Sequence, residues 1–260
     1  MAKELIGTAS KATVGVRGAK AVVVMPAYNA ATTLSATLSE IPKGLVEKVI
    51  LVDDASRDGT AWLASSLGLV VIAHPHNAGY GANQKTCYME ALREDADVIV
   101  MLHPDGQYDP GILDQMIAAV RDGTGDIVLG SRFMIRGGPA TGGMPWWKRM
   151  SNRVLTFIEN LVLHRRLSEC HTGYRAYSRK FLQTVPFLRN SNDFVFDTQI
   201  LFQAVAFGFT IAEVPVSSRY FPGASSVNFI VSLKYGIKTV GVALRYLLHR
   251  LGWRSRLFQR

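Results

Sequence analysis

The run MLHPDGQYDP (101–110) leaves an apolar stretch, ADVIVML, and at once sets an imidazole, a carboxylate and a carboxamide at alternate positions: His103, Asp105 and Gln107. Asp105 and Gln107 carry the hard oxygen donors that Mg²⁺ and Mn²⁺ take, and His103 adds a nitrogen that favours a somewhat softer ion. Three protein ligands leave positions open for substrate oxygens, which suits a divalent ion bridging two phosphates. By itself the run reads equally well as a polar turn. A second acidic run, DDASRDGT (53–60), also follows an apolar stretch. Its adjacent carboxylates, Asp53 and Asp54, could accept hydrogen bonds from a nucleobase or ribose, and Asp58 is placed to cap the helix that follows. HNAGYGANQ (76–84) brings Gly79 and Gly81 to a helix start, but Gln84 stands where a dinucleotide fingerprint needs its third glycine. Close backbone approach is the better reading there.

Something must hold these polar runs in place. The apolar runs AVVVM, KVILV, LVVIA, DVIVML and DIVLG alternate with helical patterns: Leu34, Leu38 and Ile41 in the first, then stretches near 58–67, 80–94 and 110–121. Five such units predict an α/β fold, a mostly parallel sheet flanked by helices. Ligands of such sheets collect outside the carboxyl ends of the strands. PAYN, DDASRDGT, HPHNAGYGANQ, HPDGQ and GSR all fall at those ends.

Past residue 131 the rhythm changes. WWKRMSNRVLTFIENLVLHRRL predicts an amphipathic helix near 147–166, with Met150, Val154, Phe157, Ile158, Leu161 and Val162 on one stripe among Lys148, Arg149, Arg153, Arg165 and Arg166. A second stripe closes the chain: Ile230, Leu233, Ile237, Val240, Leu244, Leu247, Leu248 and Leu251. Each stripe is readable as packed on the protein or as lying on a membrane interface. The net charge of +9 belongs largely to this tail, where Lys234, Lys238, Arg245, Arg250, Arg254, Arg256 and Arg260 meet no acid. The rest of the chain is nearly neutral, which argues against nucleic acid and for an anionic membrane surface. Cys87 and Cys170 form no CxxC pair, and MAKELIGTAS lacks a signal-peptide pattern, so a cytoplasmic protein is expected. No apolar run reaches the length of a membrane span.

Six segments occur in a fixed order: VVVMPAYNAATTLSATL, VILVDDASRDGT, ADVIVMLHPDGQYDP, DIVLGSRF, CHTGYRAYSR and FVFDTQILFQAVAFGFTIAEVPV. Together they resemble the family-2 glycosyltransferases of GT-A (Rossmann-like) fold, above all the dolichol-phosphate mannosyltransferase-like branch that acts on polyprenyl phosphates. The resemblance spans roughly residues 20–228. It implies a GT-A domain over 1–228, including the helix near 147–166, followed by a basic amphipathic helix over 229–260. The family's DxD motif and following Gln match His103, Asp105 and Gln107, with His in place of the first Asp. The resemblance therefore implies a Mg²⁺ or Mn²⁺ site on those three residues.

It also implies nucleotide contacts at Pro26, Tyr28 and Asn29 of PAYN, although Ala30 stands where many relatives have Glu, and at Asp53 and Asp54. Arg132 of GSR becomes a phosphate-binding and catalytic candidate. By the same resemblance Thr172 and Arg175 of HTGYR would face the acceptor side, Asp197, at the family's acidic position in the following helix, would be catalytic together with Asp105, and Arg219 would clamp a phosphate. The implied activity is inverting transfer of a hexose from a nucleotide diphosphate sugar to a polyprenyl phosphate, by a protein held peripherally at the membrane. Transfer to a saccharide or small-molecule hydroxyl and a non-catalytic nucleotide-sugar-binding relative are the alternatives. Homo-oligomerisation is left open.

Overall fold

Strand β1, Ala21–Ala27, is buried along its whole length, and the pleat sends its side chains alternately to two cores. Val22 and Val24 pack with Ile50, Val52, Tyr88 and Phe202, while Val23 and Met25 pack with Leu34, Leu51, Met116 and Ile117 on the opposite side. A strand apolar on both faces must be covered on both. The computed structural model describes residues 19–220 and 229–259. The MAKELIGTAS start, the boundary expected at residue 228, Arg260 and the Ile230 side chain lie outside the described residues.

In chain order the elements after β1 are α1 (Leu34–Ser39), β2 (Lys48–Asp53), α2 (Thr60–Ser66), β3 (Val70–Ala73), α3 (Tyr80–Arg93), β4 (Val98–Met101), α4 (Leu113–Arg121) and β5 (Ile127–Ser131). Then follow α5 (Gly138–Thr141), α6 (Trp146–Leu163), β6 (Arg175–Ser178), α7 (Arg179–Thr184), α8 (Phe196–Ala206), β7 (Ile211–Pro215) and α9 (Phe229–Arg250). The seven strands form one sheet in the order β3-β2-β1-β4-β6-β5-β7. The predicted strands β1 to β5 are present. β6 and β7 are additional: one is four residues that begin on Arg175, the other carries Glu213 and ends on Pro215, so neither reads as an apolar run. β6 runs antiparallel between β4 and β5, which makes the sheet mixed, though mostly parallel.

β1 pairs with β2 on one side and β4 on the other. The chain thus leaves β1 in one direction and returns through β4 in the other, and the loops beyond their carboxyl ends diverge to open a crevice. Helices α3, α8 and α9 cover one face of the sheet, and α1, α2 and α4 cover the other. α9 is keyed into its face by Tyr246, which packs edge-on to Phe202 and to Phe258, with ring centroids 5.4 Å apart in both pairs.

α6 packs against α9 with an inverted polarity. It buries Asn152, Thr156, Glu159 and Leu163, and it exposes Trp146, Met150, Val154, Phe157 and Leu161. α9 buries Thr239, Val242, Ala243 and Tyr246 but exposes Leu233, Ile237, Val240, Leu244 and Leu247. The stripes that a packed helix turns inward are here turned outward. Two neighbouring helices with such rows make the kind of apolar patch that marks an interaction surface. Among the described residues no helix is long and apolar enough to cross a membrane.

Gly81, the second residue of α3, lets the helix start against the segment before α8. Its N–H donates to the Asn192 carbonyl at 2.8 Å, and a Cβ there would lie 2.3 Å from the Ser191 carbonyl oxygen and 2.9 Å from Phe196 Cβ. Gly81→Ala is expected to cost about 1–3 kcal/mol through forced displacement of the two segments. Urea denaturation followed by circular dichroism checks this.

Candidate active site

The crevice beyond β1 and β4 encloses a cavity of about 800 Å³, within the range of small-ligand sites. The end of β1 supplies Pro26 to its lining, and the loop that follows supplies Tyr28 and Asn29. Tyr28 is half exposed, at 53%, and its ring is available to stack on a planar ligand. Asn29 adopts a left-handed backbone, φ 51°, and is stitched to the loop after β2: its N–H donates to Ser56 Oγ at 2.8 Å, and its Oδ1 accepts from Arg57 N–H at 2.9 Å. The helix α2 is capped by Gly59 rather than by Asp58. Asp58 instead bonds Thr60 and the Ala31 N–H, at 3.0 Å for the latter. Burial works against its charge, but these hydrogen bonds prevail and hold its carboxyl below the usual value.

The paired carboxylates after β2 divide their work. Asp54 accepts from the Ala78 and Gly79 N–H groups at 2.8 and 3.0 Å and contacts His74 Nδ1 at 2.8 Å, so both its oxygens anchor the loop before α3. Asp53 uses Oδ2 to accept from Ser56 N–H at 3.0 Å. Its Oδ1 is buried without a hydrogen-bond partner among the described residues. An orphaned buried oxygen of this kind asks for a donor. Asp53 is therefore the member of the pair with acceptor capacity left, although Asp54, and not Asp53, is among the residues that line the cavity.

His103, Asp105 and Gln107 all line the cavity. The His103 ring lies parallel to Tyr80, centroids 5.6 Å apart, with Nε2 3.4 Å from the Tyr80 hydroxyl. Gly173 makes this possible, because a Cβ at that position would sit 2.7 Å from His103 Nε2. Asp105 Oδ1 accepts from the Gln107 N–H at 3.0 Å, which closes the turn and keeps the alternate side chains on one side. Among the described residues no group of three or more His, Cys, Asp or Glu could hold a metal. A divalent ion here would rest on one imidazole, one carboxylate and one carboxamide, a donor set that fits Mn²⁺ and leaves room for substrate oxygens.

A family model described as glycosyl transferase family 2 matches residues 22–185. The chain belongs to that family. It is a GT-A-fold glycosyltransferase. Polyprenol monophosphomannose synthase of Mycolicibacterium smegmatis is 27% identical over 206 residues, covering 76% of this chain and 77% of that one. A UDP-N-acetylglucosamine–dolichyl-phosphate N-acetylglucosaminyltransferase of Methanococcus voltae is 24% identical over 82% of this chain and 91% of that one. Among solved structures, glucosyl-3-phosphoglycerate synthase of Mycobacterium tuberculosis with UDP aligns with TM-score 0.67 at 19% identity, over 88% of this chain and 80% of that one. The same protein with Mn²⁺, UDP and phosphoglyceric acid gives 0.62 at 18% identity, over 88% and 78%.

None of the four residues expected to face an acceptor or its phosphate, Arg132, Thr172, Arg175 and Arg219, lines the cavity, and the first three are buried. Arg175 is fully buried, and its guanidinium donates to the carbonyls of Thr172, Asp197 and Cys170 at 2.7, 2.9 and 2.9 Å. Thr172 is buried too, with Oγ1 accepting from Tyr174 N–H at 3.3 Å. Neither is among the residues that line the cavity. Asp197 does line it, yet Tyr80 Oη donates to Oδ2 at 2.7 Å and Gln84 Nε2 to Oδ1 at 3.2 Å. Burial and the neighbouring Asp197 push the Tyr80 phenol well above its ordinary value, so it stays a donor.

Arg132 is paired with the fully buried Glu169 and donates to the Tyr220 hydroxyl at 2.6 Å. Burial opposes both charges; their mutual attraction prevails and holds the Glu169 carboxyl below the usual range. Burial, and then nearby Arg132, lower the pKa of Lys148, which does not line the cavity. Arg219 is mostly exposed on a surface pair with Glu40 at 3.0 Å, and its N–H donates to the Gln107 carbonyl at 2.8 Å.

His171 lines the cavity and has no counterpart among the sequence-derived candidates. Its Nδ1 lies 2.7 Å from the Tyr235 hydroxyl, and its Nε2 lies 3.0 Å from Glu159 Oε2 without hydrogen-bond geometry. Glu159 is wholly buried. Tyr80 and Gln84, one helical turn apart on α3, were also missed; their i, i+4 spacing was the available signal. Removing His171 leaves the wholly buried Glu159 carboxyl without its neighbouring imidazole. His171→Ala is expected to cost about 3–5 kcal/mol, and adding Glu159→Gln is expected to recover much of that loss in the same denaturation measurement.

Proposed function

We propose that this glycosyltransferase moves a hexose, with inversion, from a UDP- or GDP-sugar to a polyprenyl phosphate at the membrane surface, with Mg²⁺ or Mn²⁺ bound. One observation carries this reading: α9 serves two surfaces at once. Ser232 and Tyr235 line the cavity, while Leu233, Ile237 and Val240 of the same helix stand exposed. A lipid phosphate can enter the cavity from that side while its hydrocarbon tail stays beside the apolar face. The polyprenol and dolichyl phosphates in the relatives' names support the same class of acceptor.

In this reading Tyr28 stacks on the nucleobase, Pro26 lies beside the ribose, and the orphaned Asp53 oxygen accepts a base N–H. Asn29 and Asp54 act by fixing the loops. His103, Asp105 and Gln107 would hold the divalent ion, which when bound offsets the charge gathering on the departing diphosphate. Transfer is a single displacement. An acceptor phosphate oxygen bonds the anomeric carbon as the bond to the diphosphate oxygen breaks, and that electron pair leaves with the diphosphate.

A phosphate monoester is already largely ionised near neutrality, its second pKa being about 6, so it needs cations rather than a strong base. Asp197 suits this, because both its oxygens are occupied by Tyr80 and Gln84; it positions Tyr80 beside His103. Arg219 is held only by a surface pair with Glu40, worth about 0–1 kcal/mol, and can turn to a phosphate. Arg132, expected at the phosphates, is instead held by Glu169 and Tyr220 behind the wall. Membrane association would be peripheral, at the cytoplasmic face, through the exposed rows of α6 and α9 and the basic residues beside them.

Purified protein given UDP- and GDP-sugars, Mn²⁺ and polyprenyl phosphate is expected to release nucleoside diphosphate. Asp105→Ala is expected to lower kcat about 100-fold or more. Release only with a water-soluble hydroxyl acceptor would move the assignment to saccharide or small-molecule transfer, and no release with any acceptor would leave a binding relative. The pair Phe157→Ser and Leu161→Ser is expected to weaken vesicle binding at least about 10-fold, read by co-sedimentation, without lowering turnover on a short-chain acceptor.

A further inference from the structure

Between β5 and α6 the chain forms a second cleft, of about 390 Å³, that shares no lining residue with the first. Phe133, Met134 and Ile135 supply an apolar wall, and Arg136, Arg149 and Arg153 supply the charge. No acidic residue lines it, and none of the three arginines forms an ion pair among the described residues. Arg149 and Arg153 stand one turn apart on α6, a like-charge pair that weakens an isolated helix. The Arg153 guanidinium lies over the Phe133 ring, 5.6 Å from its centroid, which orients it. Three guanidinium forks converging on one cleft without a carboxylate match an anion with several acceptor oxygens.

We propose that this cleft binds the phosphate diester headgroup of an anionic phospholipid, a site separate from the donor cavity and from the acceptor lipid. The surroundings favour a lipid over a free anion. Met134 and Ile135 on the wall are exposed, as are Trp146, Met150 and Val154, which alternate with the two arginines along α6. A headgroup seated between the arginines leaves its acyl chains beside these apolar side chains. The inference rests on the membrane reading above. It goes further in assigning the lipid preference to one cleft and three residues rather than to the basic tail as a whole.

The test is co-sedimentation of the full chain with phosphatidylcholine vesicles and with vesicles that also contain phosphatidylglycerol. The wild type is expected to prefer the second. Arg136→Gln/Arg149→Gln/Arg153→Gln is expected to lose on the order of 100-fold of that preference while keeping its binding to phosphatidylcholine. Arg136→Lys/Arg149→Lys/Arg153→Lys keeps the charge and removes the forks; a loss of about 10-fold or more is expected. Unchanged preference in the lysine variant would assign the effect to a diffuse basic field and overturn the site. Displacement from vesicles by excess inorganic phosphate would overturn it in favour of a free anion. Binding to neither vesicle would remove the membrane reading itself, and with it this inference. Equal binding of the wild type to both vesicles would remove the inference alone.

Discussion

One buried guanidinium holds the cavity's back wall together. Arg175 donates to carbonyls of Cys170, Thr172 and Asp197, so it joins the segment before β6 to the start of α8. From that joint the constraints run outward. The segment before β6 carries Gly173, which makes room for the His103 ring, and His171, which meets Glu159 and Tyr235. The start of α8 carries Asp197, which fixes Tyr80 and Gln84 of α3, and Tyr80 lies parallel to His103. A wholly buried charge is tolerable only with its hydrogen bonds satisfied, and here satisfying them assembles the site.

The same economy governs the other internal charges. Arg132 is neutralised by Glu169, and Glu159 faces His171, both inside the wall. Outside these buried pairs, Arg219 holds only a surface pair with Glu40, and Arg136, Arg149 and Arg153 line the second cleft. The cavity lining presents carboxylates and the imidazoles of His103 and His171 and, among the described residues, no lysine or arginine. In the proposed reading, such a lining accepts a diphosphate only together with its divalent ion.

Much of this was legible from residue types. Alternation and length set β1 to β5, and the polar runs at their carboxyl ends marked where the crevice would open. His103, Asp105 and Gln107, two residues apart, do reach one cavity. What the sequence could not convey is partnership. Arg175 and Arg219 look alike in a string of letters, yet one is fully buried against carbonyls and the other lies on the surface beside Glu40. Asp53 and Asp54 are adjacent, but only the fold decides that Asp54 takes the loop before α3 and Asp53 keeps an oxygen in reserve. The stripes on α6 and α9 were periodic either way; only the packed structure says that they face out.

The most direct test is anomalous diffraction from crystals soaked with Mn²⁺ and a nucleoside diphosphate. The account predicts a manganese peak within coordination distance of Asp105, bounded by His103 and Gln107, with the nucleobase against Tyr28. Manganese elsewhere, or nucleotide bound without any peak beyond β4, would contradict it.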